Sequence, residues 1–286
     1  MPAGNRVKNI ISQLTTYKQR RAIRRLQNTL KRPLRTIAHY FRYINLMIFW
    51  PNYPKKQFLI FAEGRGGSSL LVDLLNSHPD IYCDGEIFNA ETNAKIRFPL
   101  LYLESRKRTT RLIRKPVYGF KVKYTQLVLH QGFKNDFIKT LYDSGWKIIY
   151  LRRSNYLKAT ISTILAEKRG FYHQKRIKVK NLEKINIDVE ELLQKTKGRE
   201  RAAQLEKEWL VGMDYHFVNY ENDLLNPDMH QNTLNKIFRF LKIPEHEIST
   251  NFKKISTGDL SLDIENFNEV REYLGTSEFA HLLDAD

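Results

Sequence analysis

The sequence predicts an α/β fold in which a central parallel sheet is flanked by helices. Three stretches carry this prediction, because each contains a short apolar run that continues into a loop or a helix: 57–81, 117–124 and 146–170. Short apolar runs are typical of buried strands, and strands that alternate with helices are typical of parallel sheets. With 286 residues, of which 42% are hydrophobic, the chain can bury one large core around such a sheet.

The first stretch indicates a strand, a glycine-rich loop and a helix. The loop contains three glycines and is followed by two serines: Gly64, Gly66, Gly67, Ser68 and Ser69. We expect the serines to cap the helix, because leucines at helical spacing follow them. Such a loop directs backbone N–H groups and the positive end of a helix dipole at one point, where they can hold a phosphate or sulfate. Arg65 adds a permanent positive charge there.

The loop lacks the lysine of nucleoside-triphosphate loops, G-x-x-x-x-G-K-[ST], and it lacks the dinucleotide pattern G-x-G-x-x-G. Its sequence E-G-R-G-G-S-S-L-L resembles the 5′-phosphosulfate loop of sulfotransferases that use 3′-phosphoadenosine 5′-phosphosulfate (PAPS). Among these it is most similar to bacterial carbohydrate enzymes that act on glycolipids and nodulation factors. The resemblance implies a P-loop-like three-layer fold, a catalytic role for Arg65, and a cosubstrate loop of six residues: Arg65, Gly66, Gly67, Ser68, Ser69 and Leu70.

The composition indicates an anionic partner. Forty-eight Lys and Arg against 31 Asp and Glu give a net charge of +17. The net charge is compatible with nucleic acid, anionic lipid or an anionic cosubstrate as the partner. The resemblance to sulfotransferases makes nucleic acid the least expected of the three. Cys83 is the only cysteine, which excludes an intrachain disulfide and paired-cysteine zinc sites. We expect no metal, since no cluster of His, Cys and carboxylates has ligand spacing.

Residues 1–54 are expected to form a basic helical extension, followed by a catalytic domain at 55–286. No acidic residue occurs before Glu63, and apolar residues recur at helical intervals between the basic ones. Two interpretations stay open, since such helices can lie on an anionic membrane surface or pack on the catalytic domain. The apolar run at 43–50 is shorter than the roughly 20 residues that cross a bilayer. We therefore expect a cytoplasmic protein, with peripheral membrane association if the extension binds lipid.

The segment H-P-D-I-Y-C-D-G-E-I-F-N supplies the candidate base. In the resembling enzymes a Glu in a G-E-x-F context takes the proton of the acceptor hydroxyl, and that position is Glu86. A turn-capping role for Glu86 and an acceptor contact from His78 stay open as alternatives. Lys121 and Lys123 are expected on one face of the strand at 117–124, and the resemblance implies that Lys121 contacts the acceptor or cosubstrate. The alternative is that they protect an exposed edge strand.

The second diagnostic stretch is W-K-I-I-Y-L-R-R-S-N-Y-L-K-A-T-I-S-T. A buried strand ends there at two arginines, and ligand sites of open α/β sheets lie at the carboxyl ends of strands. A strand followed by Arg, with a hydroxyl about two helical turns later, resembles the 3′-phosphate motif of the family, which implies Arg152 as the guanidinium ligand. The hydroxyl stays open between Thr160 and Ser162, because residues two apart on a helix point in different directions.

Later segments add further expectations. Ser154 is placed to cap the helix that follows the second motif. The lysine-rich stretch at 169–198 predicts a mobile segment over the acceptor cleft. Tyr220, in a segment that resembles the Y-E-D-L motif of the family, is expected to be structural. The tail resembles the loop that closes over the nucleotide, which implies a cofactor contact at Lys254.

Taken together, the motifs predict a sulfotransferase that moves a sulfuryl group from PAPS to a hydroxyl of a carbohydrate or glycolipid acceptor. Two other functions stay open. A nucleotide-binding, kinase-like enzyme would use the glycine loop for a nucleoside triphosphate. A non-catalytic basic adaptor for a membrane or nucleic acid would account for the net charge of +17 without either motif.

Overall fold

The computed structural model describes eight parts of the chain: residues 41, 53–89, 96, 98–129, 136–169, 183–250, 252 and 260–283. Apart from residue 41, the basic extension over 1–52 lies outside the described residues. Lys254 and the stretch at 170–182 also lie outside them. The expectations for these parts of the chain stay predictions.

Within the described residues, five strands form one parallel sheet in the order β2-β3-β1-β4-β5. Their bounds are β1 Lys56–Ala62, β2 Ile81–Glu86, β3 Val117–Val122, β4 Lys147–Arg152 and β5 Tyr215–Asn219. The predicted central parallel sheet is therefore confirmed. Because β3 lies inside the sheet between β2 and β1, the alternative of a protective Lys121 on an exposed edge strand is wrong.

Helices connect and follow the strands. The α-helices of the described residues are α1 Ser68–Asn76, α2 Pro99–Arg108, α3 Tyr124–Leu129, α4 Phe137–Asp143, α5 Tyr156–Arg169, α6 Val189–Trp209, α7 His230–Leu241, α8 Leu260–Asp263 and α9 Phe267–Gly275. Short 3₁₀ turns lie at Thr109–Ile113, Pro227–Met229 and Ala280–Leu282, and a π-helical turn lies at Tyr220–Leu224.

Apolar side chains cover both faces of the sheet, which gives the fold three layers. Successive residues of a strand point to opposite faces, so β1 contributes to two cores. On one face Phe58 packs with Leu71 of α1 and Phe238 of α7. On the other face Phe61 packs with Ile138 of α4. A third apolar cluster joins α5 and α6 to the C-terminal helices.

The strand order places a ligand crevice beside β1. The chain leaves β1 toward β2 on one side and leaves β4 toward β5 on the other, and the neighbours β1 and β4 are paired with Phe61 opposite Tyr150. In open α/β sheets, ligands bind where the connections diverge in this way, at the carboxyl ends of the strands. Both diagnostic motifs begin at these two ends.

Two predicted helix caps differ from the structure. Gly67, in the left-handed conformation with φ 82°, precedes α1 as its N-cap, so Ser68 and Ser69 are helical residues and not caps. Helix α5 begins after Asn155, whose Oδ1 accepts the backbone N–H of Lys158 at 2.8 Å; Ser154 is therefore not the cap. The stretch predicted to be mobile, 169–198, includes the last residue of α5 and, behind an Asp188 cap, the first turns of α6.

No helix among the described residues has both the length and the hydrophobicity needed to cross a membrane.

Candidate active site

The glycine loop between β1 and α1 lines an open cleft of about 420 Å³. Arg65 and Gly67 both have positive φ, 66° and 82°. A Cβ atom on Gly67 would lie 2.4 Å from the ring of Tyr220, so there is no space for a side chain at this position. The tight loop brings the N-terminus of α1, with its unpaired backbone N–H groups, to the cleft.

Glu86 lies at the end of β2, where a bulge shifts the register and pairs it with Lys121. Its Oε1 lies 2.9 Å from the Nζ atoms of both Lys121 and Lys123. Its Oε2 accepts hydrogen bonds from Gln126 at 2.9 Å and from Asn89 at 3.4 Å. Glu86 is thus the centre of a polar cluster that lines the cleft, and both predicted lysines reach it.

The two ammonium groups determine the charge of Glu86. Burial raises the pKa of its carboxyl, but Lys121 and Lys123 outweigh burial and lower this pKa to about 2. Burial also lowers the pKa of the Lys121 ammonium, and the charge of Glu86 opposes that shift. Glu86 is therefore ionised at neutral pH. A second anion beside the lysines would raise its pKa, because like charges disfavour ionisation.

Lys121 connects the glycine loop to Glu86. Its Nζ donates to Ser68 Oγ at 3.1 Å and to Ser69 Oγ at 3.4 Å, and the same atom contacts Glu86. The side chain is only 3% exposed. One buried ammonium group thus holds the start of α1 and the end of β2 at the same point of the cleft.

The two arginines of the second motif lie on different sides of the loop. Arg152 is 7% exposed and donates to Tyr150 Oη at 3.0 Å and to Tyr156 Oη at 2.5 Å. Arg153 lines the cleft, with its guanidinium 5.0 Å from the ring centre of Tyr220. Arg152 is the last residue of β4, whereas Arg153 follows the strand in the turn before α5. The motif assigned the phosphate contact to Arg152, whereas Arg153 is the arginine that faces the cleft.

Of the two candidate hydroxyls, Ser162 lines the cleft and Thr160 does not. Ser162 Oγ accepts a hydrogen bond from Arg65 Nε at 3.0 Å, which joins the two motifs directly. Thr160 is fully buried, and its Oγ1 donates to the carbonyl of Tyr156 at 2.8 Å. The Thr160 hydroxyl therefore donates its proton within α5 and not to the cleft.

His78 lies in the core and not in the cleft. Its Nδ1 accepts the backbone N–H of Asp80 at 3.0 Å, so the other nitrogen, Nε2, is the one that donates to the carbonyl of Pro244, also at 3.0 Å. The ring packs edge-on against Phe238, 4.8 Å between centres. Because both nitrogens are engaged, the expected acceptor contact from His78 is not supported by its geometry.

Arg199 of α6 is a cleft residue that the sequence analysis missed. Its guanidinium donates to the carbonyl of Gly64 at 2.9 Å and to Thr163 Oγ1 at 2.6 Å. Burial lowers its pKa, and the carboxylate of Glu63 opposes the shift. Arg199 therefore ties the glycine loop to α5 and α6. It lies in the charged run K-T-K-G-R-E-R, where no local pattern distinguishes it.

The cleft has a polar and an apolar wall. The ends of β2 and β3 supply the polar wall with Glu86, and residues 220–230 after β5 supply most of the apolar wall, with Leu70 and Phe252. The charged side chains that line the cleft among the described residues are six basic and three acidic: Arg65, Lys121, Lys123, Arg153, Arg169, Arg199, Glu63, Glu86 and Asp263. A basic cleft beside an apolar wall fits a nucleotide anion.

No family model matches the chain. It is 23% identical over 249 residues to Nodulation protein H of Rhizobium tropici, a match that covers 80% of this chain and 93% of that protein. Among solved structures, mouse sulfotransferase SULT7A1 complexed with PAP matches 81% of this chain and 89% of that chain, with 14% identity and a TM-score of 0.43. A TM-score of 0.43 does not establish a shared fold. The α/β fold is therefore assigned from the order of the five described strands. The similarity to Nodulation protein H agrees with the resemblance of the two motifs to those of PAPS-dependent sulfotransferases.

Proposed function

We propose that this protein is a sulfotransferase that transfers a sulfuryl group from PAPS to a hydroxyl group of an oligosaccharide-type acceptor, either free or carried on a glycolipid. The observation that carries the proposal is the contact of Lys121 with both the glycine loop and Glu86, which joins an anion-binding loop to a carboxylate base in one cleft. The acceptor class is supported by the resemblance to nodulation-factor enzymes and by the similarity to Nodulation protein H.

The residues of the cleft fit the cosubstrate by their chemistry. We assign the 5′-phosphosulfate to the loop, where Gly67 leaves the backbone N–H groups accessible and Arg65 and Lys121 supply positive charge. We assign the 3′-phosphate to Arg153 and Ser162, because both line the cleft. The purine base would occupy the apolar wall, since aromatic and aliphatic side chains suit its flat surface.

Glu86 would act as the base. PAPS supplies an activated sulfuryl group whose bond to the phosphate oxygen breaks as its bond to the acceptor oxygen forms. Glu86 accepts the proton that the acceptor hydroxyl loses. Arg65, Lys121 and the N-terminus of α1 stabilise the negative charge that develops on the leaving phosphate oxygen.

Lys121 and Lys123 link the basicity of the Glu86 carboxylate to cosubstrate binding. In the free protein the pKa of Glu86 is about 2, which makes it a poor base. The negative charges of the cosubstrate beside Lys121 and Lys123 raise this pKa. Glu86 therefore becomes a competent base only in the complex, when an acceptor hydroxyl can use it.

The test follows radiolabelled sulfate from PAPS into a set of oligosaccharides, for the wild type and for Glu86→Gln. The variant keeps the shape of the side chain and removes its proton affinity, so transfer should fall by roughly 10²–10⁴-fold. Binding of adenosine 3′,5′-bisphosphate should survive. Glu247→Gln, an exposed site, is the matched control and should transfer normally.

Equal transfer by the wild type and Glu86→Gln would show that Glu86 is not the base. A wild type that binds adenosine 3′,5′-bisphosphate and labels no oligosaccharide would exclude the acceptor class instead.

A further inference from the structure

A second, smaller cavity lies next to the glycine loop, and half of the residues that line it are charged. Three arginines and two glutamates line it: Glu63, Arg152, Arg153, Arg199 and Glu206. Glu63, Arg153 and Arg199 also line the main cleft. These three side chains therefore separate the two spaces. A charge in one space changes the electrostatic potential in the other through them.

Glu206 of α6 is the most deeply buried of the five, with 1% of its surface exposed. Its Oε2 accepts a hydrogen bond from Tyr150 Oη at 3.0 Å, and that hydroxyl accepts one from Arg152 at 3.0 Å. Within the described residues, Glu206 Oε1 and Glu63 Oε2 are buried and have no hydrogen-bond partner. Buried carboxyl oxygens without partners cost less free energy when one of the two carboxyl groups is protonated.

The groups that face Glu206 come from three elements. Burial raises the pKa of its carboxyl and the charge of Glu63, in the loop after β1, raises it further. Tyr150 and Arg152 of β4 and Arg199 of α6 lower it. The resulting pKa is about 7, so Glu206 changes charge near neutral pH.

We propose that Glu206 is a proton-linked positioning residue of the nucleotide site, neutral when an anionic nucleotide fills the main cleft and inhibitory to binding when ionised. The inference rests on the proposed function, because it takes a nucleotide anion as the ligand. It acts through Arg153 and Arg199, which line both spaces. When Glu206 is neutral, the two guanidinium groups can interact fully with the nucleotide anion. When Glu206 is ionised, its negative charge attracts the same guanidinium groups and weakens that interaction.

The sign of the pH dependence follows from this arrangement. A bound anion disfavours a second negative charge nearby, so it raises the pKa of Glu206, and the complex binds more protons than the free protein. By linkage, protonation of Glu206 must then favour binding to the same extent. The contribution of Glu206 to affinity is therefore greatest below its free-protein pKa and declines as the pH rises through that value.

Calorimetric titration with adenosine 3′,5′-bisphosphate at pH 6 and pH 8 tests the proposal. The phosphates of the ligand titrate near pH 6, but they do so equally for every variant, so the informative quantity is the ratio of Kd at pH 8 to Kd at pH 6. This ratio should be about 3–10-fold larger for the wild type than for Glu206→Gln, which corresponds to a coupling of about 0.5–1 pKa unit. Glu208→Gln, an exposed change on the same helix, should match the wild type.

Equal ratios for the wild type and Glu206→Gln would overturn the inference. Absence of binding by all three proteins at both pH values would instead contradict the proposed function. If Glu206→Gln does not fold, Glu63→Gln provides the same test, because loss of the Glu63 charge lowers the pKa of Glu206. In titrations from pH 5 to pH 8, the affinity should then decline at a lower pH than in the wild type, and an unchanged midpoint would again overturn the inference.

Discussion

Gly67 controls the shape of the phosphate-binding loop at the scale of a single residue. Its φ is 82°, and a Cβ atom would lie 2.4 Å from the ring of Tyr220. Gly67→Ala should therefore lower the free energy of unfolding by about 1–3 kcal/mol, from left-handed backbone strain and displacement of the Tyr220 ring. It should also weaken binding of adenosine 3′,5′-bisphosphate, because the backbone N–H groups no longer converge.

Gly198→Ala is the matched control for that change. Gly198 lies inside α6, and a Cβ atom there meets nothing within 4 Å. Alanine should stabilise this helix position by about 0.5–1 kcal/mol and leave nucleotide affinity unchanged. Denaturant unfolding and calorimetry of both variants check the pair, and similar behaviour of the two would argue against a special role for Gly67.

At the scale of elements, α6 supports the glycine loop through Arg199. The two guanidinium hydrogen bonds, to Gly64 and Thr163, require a planar fork that Lys does not have. Arg199→Lys should therefore keep the fold and weaken binding of adenosine 3′,5′-bisphosphate by roughly tenfold, the effect of about 1.4 kcal/mol. Arg201→Lys, an exposed position two residues on, is the control and should bind like the wild type. Wild-type affinity of the Arg199→Lys variant for adenosine 3′,5′-bisphosphate would show that α6 does not support the site through Arg199.

The same helix shows why part of the site could not be predicted. Its inward face carries residues at spacings of four and three: Leu192, Thr196, Arg199, Ala203 and Glu206. Hydrophobic periodicity detects only apolar members of such a face, and here two charged residues occupy it. Strands β1, β3 and β4 were predicted from their short apolar runs, whereas β2, I-Y-C-D-G-E, has no continuous apolar run and was not predicted as a strand. The glycine loop and Glu86 were recognised from local motifs, whereas Arg199 and Glu206 reach the site only through tertiary packing.

The second motif shows a related limit. The strand and its two arginines were predicted correctly, but the direction of each side chain depends on where β4 ends and α5 begins. The spacing that left Thr160 and Ser162 open is decided by the start of α5 at Tyr156, which turns Ser162 to Arg65 and Thr160 to the helix backbone. Sequence motifs therefore located this part of the cleft without fixing its individual contacts.

At the scale of the whole molecule, Glu86 and Glu206 act in opposite directions on stability. The pKa of Glu86 is lowered to about 2, so its stabilising contribution is present above the ordinary pKa of Glu and is lost as the pH falls toward 2. The pKa of Glu206 is raised to about 7, so the folded state holds a proton that the unfolded state has lost between about pH 4.5 and 7. Ionisation of Glu206 thus costs stability as the pH rises through this range.

Glu206→Gln should consequently be more stable than the wild type at pH 8, by on the order of 2 kcal/mol, with the difference shrinking toward pH 4. Urea unfolding of both proteins from pH 4 to pH 8 measures this difference. A difference that is constant with pH, or that grows toward acid, would mean that Glu206 is ionised throughout the range.

Discrimination between adenosine nucleotides tests directly whether the cleft holds a nucleotide with both 5′ and 3′ groups. Calorimetry should compare adenosine 3′,5′-bisphosphate, adenosine 5′-monophosphate and magnesium ATP. The bisphosphate should bind roughly 10–100-fold more tightly than the monophosphate, because charge-assisted hydrogen bonds to the 3′-phosphate contribute about 1.5–3 kcal/mol. Ser162→Ala should reduce this preference and Thr160→Ala should not. Equal affinity for the bisphosphate and the monophosphate, or tighter binding of magnesium ATP, would contradict the account.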